Sequence, residues 1–234
     1  MRSPAFATTW SVARLVMGLV IVAAVVTQLA KSVTTTVELG RDLATTIANF
    51  FSFFTILSNL IAATVLLWAA IALWRRGSGA VTDSAPLATA LACASTYMII
   101  TGIVYNALLR QIVLEQGSLP VPWSNEVLHL IGPLFLLVDV LVGPARRALR
   151  WRAVGIVLVF PLAWSAYTLI RGPLVTSPVT GDPWWYPYPF LNPHGPGGWP
   201  SVIAYVIGIS LAFVAVGAFV VWMGRRRNTR RHMP

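Results

Sequence analysis

Long apolar runs alternate with short polar interruptions along the whole chain. The runs lie at about residues 10–30, 47–74, 86–110, 126–143, 153–171 and 200–223, each near the ~20 residues that cross ~30 Å of hydrocarbon. They are continuous rather than alternating, which predicts helices and not barrel strands. The pattern therefore predicts an all-α membrane protein, a bundle of six transmembrane helices. The runs use most of the 234 residues, so the whole chain, 1–234, is expected to form a single six-span domain. Trp10 anchors the start of span 1 at an interface, and Trp74-Arg75-Arg76 closes span 2. Pro86 falls in the first turn of span 3, and Gly143-Pro144 stops span 4. Pro161 predicts a kink in span 5. Ala204, Gly208 and Ala212 in span 6 predict close packing against another helix. No internal repeat is evident. No A-x-A-type cleavage site follows the first run, which is expected to be a retained span and not a removed signal peptide.

One interruption is long. Residues 172–199 carry seven prolines and the stretch WWYPYPFLNP, Trp184 to Pro193. Proline excludes a regular helix here, and Trp and Tyr favour the headgroup region. Two readings fit this composition: a lid over the mouth of the bundle, or an interfacial belt.

Charge then orients the spans. The chain is 57% hydrophobic and 10% charged, with a formal net charge of +10. If six spans alternate, Arg2, Arg75, Arg76, Arg146, Arg147, Arg150, Arg152, Arg225, Arg226, Arg227, Arg230 and Arg231 share one side. Lys31, Arg41, Arg110 and Arg171 fall on the other, offset by Glu38, Asp42, Glu115, Glu126 and Asp182. This is the positive-inside pattern, and it places both termini in the cytoplasm of a cell bounded by a plasma (inner) membrane. The basic tail RRRNTRR is expected to meet anionic lipid, and no nucleic-acid partner is expected. Cys93 is the only cysteine, which excludes an internal disulfide and a cysteine metal cluster. No metal and no cofactor are expected.

Ionisable groups at membrane depth are costly and few. Arg14 and Asp139 each lie about one turn from the cytoplasmic end of their span. At ~1.5 Å per residue they share a height, and a structural ion pair is favoured over a proton relay. No other titrating group is expected beside them. His129 is the only histidine inside a span, beside Gly132 and Pro133. It is either a general base or a hydrogen-bonded packing residue. Glu126, three residues earlier on the same face, could orient the imidazole as the third member of a triad.

The stretch FFSFFTILSNL, 50–60, places Ser52, Thr55 and Asn59 at spacings of three and four, on one face of span 2. Thr55 lies about two turns in from the outer end, at a depth His129 can share. Late in span 3, Tyr97, Thr101 and Tyr105 repeat every four residues, with Asn106 adjacent. Three spans thus place polar groups in the outer half of the bundle. They form either a site or polar bonds between helices worth ~0.6–2 kcal/mol each.

FFSFFTILSNL, LHLIGPLFLLVDVL (128–141) and WWYPYPFLNP resemble bacterial six-pass relatives of the androgen-induced protein / androgen-dependent TFPI-regulating protein family, over nearly the whole chain in span order. Animal members are membrane hydrolases that cleave fatty acid esters of hydroxy fatty acids with an intramembrane threonine and a histidine. By position, Thr55 in FFTILSN matches the threonine and His129 in VLHLIGP matches the histidine. The resemblance implies an intramembrane threonine-type lipid ester hydrolase, with Thr55 as nucleophile and His129 as general base. Ser52, Asn59, Tyr105 and Asn106 are candidate oxyanion donors or pocket residues. The alternative is a non-enzymatic lipid-binding, transport or sensing protein that uses the same cavity. Either way the expected partner is a membrane lipid or lipid-like molecule.

Overall fold

A computed structural model describes residues 4–76, 82–112, 114 and 118–229. Arg2, Glu115, Arg230 and Arg231, and the centre of the turn between spans 2 and 3, lie outside the described residues. Six helices are long and apolar enough to cross a membrane, and no strand occurs among the described residues. The protein is a multi-pass helical membrane protein. Helices satisfy their own backbone polar groups, which hydrocarbon cannot do for them.

Span 1 is α1, Pro4–Glu38. It is longer than the apolar run because the polar residues 31–38 continue the same helix. The second run is broken. A short α2, Leu43–Phe50, precedes α3, Phe54–Arg76. Asp42 caps α2 by accepting from Thr45 N at 2.6 Å, and the hydrogen bonds from Thr45 hold its carboxyl below its usual value. Span 3 is α4, Ala85–Val104, extended by a π turn over Tyr105–Leu109. Span 4 comprises α5, Pro122–Glu126, a π turn over Val127–Ile131, and α6, Gly132–Val142. Spans 5 and 6 are α7, Ala153–Arg171, and α8, Gly198–Thr229.

Helix α4 is the most buried span and packs against α3, α6, α7 and α8, while α1 lies along α3. Proline sets one of these contacts. Pro161 has no N–H for the Val157 carbonyl four residues back. Tyr97 of α4 donates its hydroxyl to that oxygen at 3.0 Å. Helix α7 continues through the proline, and the freed carbonyl becomes a bond between spans. Thr101 bonds Ser58 of α3 at 3.0 Å. Tyr97 and Thr101 therefore bind helix to helix. The expected packing stripe in span 6 is not one within this chain: Ala204 and Gly208 are exposed, and nothing lies within 4 Å of a Cβ placed on Gly208. Gly217 faces Val154 and Val157 instead.

The bundle has two chemically distinct ends. The loop end carries the 172–199 segment, the start of α3 and the two π turns. The arginine end carries Arg75, residues 143–152 and the last turns of α8.

Candidate functional site

The break before α3 builds the site. Ser52 and Phe53 make only turn-type bonds, Ser52 N to Asn49 O at 2.9 Å and Phe53 N to Phe50 O at 3.4 Å. Backbone groups released at membrane depth need other partners. Trp164 of α7 donates its indole N–H to Ser52 O at 2.9 Å. Thr55 N donates to the Tyr188 hydroxyl at 3.2 Å. The phenylalanines of the same stretch hold both aromatics. Phe54 lies edge-on to Trp164 with centroids 5.2 Å apart, and Phe53 lies edge-on to Tyr188 at 5.7 Å and Trp185 at 5.6 Å. The stretch FFSFFTILSNL is thus a helix break closed by polar-tipped aromatics.

The aromatic loop is folded into the bundle mouth: Trp185, Tyr188 and Leu191 are buried in the main core. Trp185 N donates to Gly172 O at 3.0 Å, and the Arg171 guanidinium lies over the Trp185 ring at 5.4 Å. A Cβ on Gly172 would fall 2.1 Å from the Tyr186 ring, so the ring packs directly on this backbone. Burial pushes the Tyr188 phenol above its ordinary pKa. It stays protonated, and its oxygen lies 3.3 Å from Thr55 Oγ1.

A second backbone irregularity positions His129. Pro133 cannot donate to the His129 carbonyl four residues earlier. The helix adapts by a π turn in which Gly132 N reaches back to Val127 O. The carbonyls of Leu128 and His129 then need other donors. Asn59 of α3 donates Nδ2 to Leu128 O at 3.1 Å, and Asn106 at the end of span 3 donates Nδ2 to His129 O at 3.0 Å. Two asparagines from two neighbouring spans thus clamp consecutive carbonyls. The second π turn, where Arg110 N reaches Tyr105 O at 2.8 Å, faces the first. It lays the Tyr105 ring on the imidazole, with centroids 3.6 Å apart and planes 20° apart.

The imidazole tautomer follows from its partner. His129 Nδ1 lies 3.0 Å from the carbonyl oxygen of Asn125, which can only accept. Nδ1 therefore carries the proton, and Nε2 of the neutral ring has a free lone pair. Glu126 does not orient the ring as expected. It pairs with Arg110, which also donates to Asn106 Oδ1, and the Asn125 carbonyl takes the orienting role.

Thr55 and His129 line one narrow cleft, shared with Tyr105, Asn125, Gln28 and Tyr188. Its sealed part admits about one water molecule. No hydrogen bond joins Thr55 to His129; the threonine hydroxyl is held by Tyr188. Among the candidate oxyanion donors, Tyr105 lines the cleft, with its hydroxyl bonded to the Asn125 amide at 2.8 and 3.1 Å. Ser52 does not. It sits in the helix break, off the face of α3, and its hydroxyl bonds Ala48 O at 2.8 Å and Tyr167 at 2.9 Å. Asn59 has both amide hydrogens committed, to Leu128 O and to Thr55 O at 2.9 Å. Asn106 is exposed and acts on His129 through its carbonyl. Asn125 and Gln28 carry no local signal in the sequence, and Tyr188 is marked there only as part of the aromatic loop. Gln28 accepts from Val121 N at 2.9 Å and secures the start of α5.

At the arginine end, Arg14 and Asp139 form a fully buried, two-pronged ion pair at 2.8 and 3.2 Å. The expectation that no other titrating group lies beside them is overturned. Arg146 also reaches Asp139 at 2.5 Å, and Trp10 donates its indole N–H at 2.6 Å. Residues 143–152 fold back under the bundle, so Arg146 enters from the loop. Among the described residues, no three His, Cys, Asp or Glu side chains converge to hold a metal ion.

No family model matches the chain, and neither a curated protein nor a solved structure matches it.

Proposed function

We propose that the protein is an intramembrane ester hydrolase, with Thr55 as nucleophile and His129 as general base, acting on lipid esters such as fatty acid esters of hydroxy fatty acids. One observation carries the reading: Thr55 and an imidazole whose free nitrogen is Nε2 line the same cleft at the loop end of the bundle. The resemblance of FFTILSN and VLHLIGP to the androgen-induced protein family points to the same two residues. His129 Nε2 takes the Thr55 proton as Oγ1 attacks the ester carbonyl. The released alcohol takes that proton back, and water then cleaves the acyl-threonine. The neutral Tyr188 hydroxyl and the first N–H groups of α3, at the positive end of its dipole, are the donors nearest the developing oxyanion. Tyr188 must leave the threonine hydroxyl before attack, so opening of the aromatic loop admits substrate.

The arginine distribution supports an inner-membrane protein with both termini in the cytoplasm. This places the Thr55–His129 cleft in the outer leaflet and the basic tail against anionic lipid.

A second reading, lipid binding without catalysis, is favoured by the hydrogen bond of Thr55 to Tyr188 rather than to His129. The purified protein, Thr55→Ala and His129→Ala are compared for fluorophosphonate labelling and for cleavage of a panel of branched fatty acid esters. Loss of labelling and of cleavage in both variants is the expected result. Folded wild type that neither labels nor cleaves any ester, yet binds the esters equally well with Thr55→Ala, overturns the hydrolase.

A further inference from the structure

A base that takes a proton becomes a cation, and in a Ser-His-Asp triad a carboxylate faces that cation. His129 has no such partner. When Nε2 takes the Thr55 proton, Nδ1 keeps its own and the ring carries one positive charge. Among the described residues no carboxylate pairs with the imidazole. Glu126, the acid nearest in sequence, is held by Arg110. The Asn125 carbonyl meets Nδ1 but brings no charge, and the Tyr188 hydroxyl is on Thr55. What does face the imidazole is the Tyr105 ring, with centroids 3.6 Å and planes 20° apart. Arg110 also lies near that ring, at 6.0 Å, with its charge matched by Glu126.

Three features build this contact. Gly102, three residues before Tyr105, brings spans 3 and 4 together beside the histidine: a Cβ there would fall 2.8 Å from Pro133 Cβ and 3.5 Å from His129 O. The π turn over Tyr105–Leu109 begins at the ring itself. The Tyr105 hydroxyl is then anchored, donating to Asn125 Oδ1 at 3.1 Å and accepting from Asn125 Nδ2 at 2.8 Å. Its one proton is spent there, so Tyr105 is not an oxyanion donor and acts through its ring. Asn125 thus serves the histidine twice. Its backbone oxygen takes Nδ1–H, and its side chain holds the tyrosine that stacks on the same imidazole. A hydrogen bond in the ring plane leaves rotation about that bond free, and a ring against the face removes it. An aromatic face is also the negative part of its quadrupole and attracts a cation.

We infer that Tyr105, anchored by Asn125, is the positioning residue of His129: its face fixes the plane of the imidazole and lies against the imidazolium, where a triad has its carboxylate. The effect on rate rests on the hydrolase reading, whereas the effect on the imidazole is independent of it. Removing an aromatic face from a cation held out of water is worth about tenfold in rate.

The test uses the purified full chain in mild detergent, with His194→Gln and His232→Gln as background so that one imidazole remains. Nitrogen NMR of ¹⁵N-labelled histidine reads its tautomer without any turnover. The parent protein and Tyr105→Phe are expected to show the Nδ1–H form alone, and Tyr105→Leu a mixture of both tautomers. In ester cleavage Tyr105→Leu lowers kcat roughly tenfold with KM within about twofold, and Tyr105→Phe, which keeps the ring, restores most of it. Tyr105→Phe and Asn125→Leu cut the same tie, so the double variant loses no more than either single one. This pair keeps the test decisive where Tyr105→Leu fails to fold. A parent protein that cleaves no ester defeats the hydrolase reading alone, and the tautomer then judges the clamp. A single Nδ1–H tautomer in Tyr105→Leu, a kcat loss in Tyr105→Phe equal to that in Tyr105→Leu, or additive losses in Tyr105→Phe and Asn125→Leu overturn the inference.

Discussion

Removing the Asp139 carboxylate at equal volume strands two buried arginines. Asp139→Asn keeps the shape but turns one acceptor oxygen into an N–H₂ that faces donors. The side chain receives an indole N–H at 2.6 Å, Arg14 at 2.8 and 3.2 Å, and Arg146 at 2.5 Å. A charge pair about 4 Å apart attracts by about 4 kcal/mol at an effective dielectric of ~20. Two such attractions vanish, while both guanidinium groups stay buried and repel each other. Experience with broken buried pairs puts the loss at about 3–5 kcal/mol for one stranded charge, and here two are stranded. The triple change Arg14→Met, Asp139→Leu, Arg146→Met removes every charge together. It is expected to lie within about 1–3 kcal/mol of wild type, the residual cost being the Trp10 indole and Ser95 hydroxyl left without partners. Unfolding of purified protein in detergent, read by tryptophan fluorescence against denaturant, should rank wild type and the triple variant together and Asp139→Asn far below. An Asp139→Asn protein as stable as the triple variant would refute the claim that this carboxylate neutralises two buried arginines.

The remaining predictions concern the loop end of the bundle. Asn106→Leu strips the donor from the His129 carbonyl and should cost about 1–3 kcal/mol. In a Pro133→Ala background that carbonyl regains a backbone N–H, so the same substitution should cost less, and a double-mutant cycle by thermal unfolding measures the difference. Gly102→Ala places a Cβ 2.8 Å from Pro133 Cβ and should destabilise by about 1–3 kcal/mol through overpacking, a loss that a smaller residue at 133 relieves in the same assay. Tyr188→Phe should leave the fold intact yet slow ester cleavage by about 10²–10³ if its hydroxyl meets the oxyanion; unchanged kcat would remove Tyr188 from the chemistry. The Tyr188 phenol is also a pH probe. Its folded pKa lies above the unfolded value near 10, so above pH ~10 the unfolded chain binds fewer protons and stability falls. That alkaline loss should shrink in Tyr188→Phe, as read from unfolding midpoints between pH 8 and 11.

The spans were legible because hydrocarbon imposes a length and a polarity on them that apolar runs record directly. Their ends were not. Residues 31–38 are polar and yet continue α1, because a helix that has left the apolar layer can be hydrated and needs no new pattern to persist. The break at 51–53 was hidden for the opposite reason. It contains neither glycine nor proline, and what ends the helix is remote: the Trp164 indole and the Tyr188 phenol, 112 and 133 residues away. A break stabilised by tertiary partners leaves no local mark. Applying a helical spacing rule across it put Ser52 on the face of Thr55, whereas the structure turns Ser52 toward Tyr167. Arg146 was missed similarly, because the loop that carries it folds back onto Asp139.

The support of His129, by contrast, was written in the chain and can be read forward. A proline four residues after a residue in a membrane helix leaves that residue's carbonyl without its donor. Lipid cannot supply one, so a neighbouring span must. The sequence contains this offset twice inside spans, at Val157–Pro161 and at His129–Pro133. The structure answers the two with polar side chains of α4 and its π turn, Tyr97 and Asn106. The tyrosine and asparagine that looked like one stripe of a binding site are therefore divided by their proline partners. Tyr97 closes a structural gap in α7, while Asn106 closes the gap at the histidine. Asn59 follows the same logic at Leu128, where the π turn takes the Gly132 N–H away. The same amide also returns to Thr55 O. One side chain thereby ties the backbone of the threonine to the turn that carries the histidine. That link sets the relative register of α3 and span 4, on which any proton transfer between Thr55 and His129 depends.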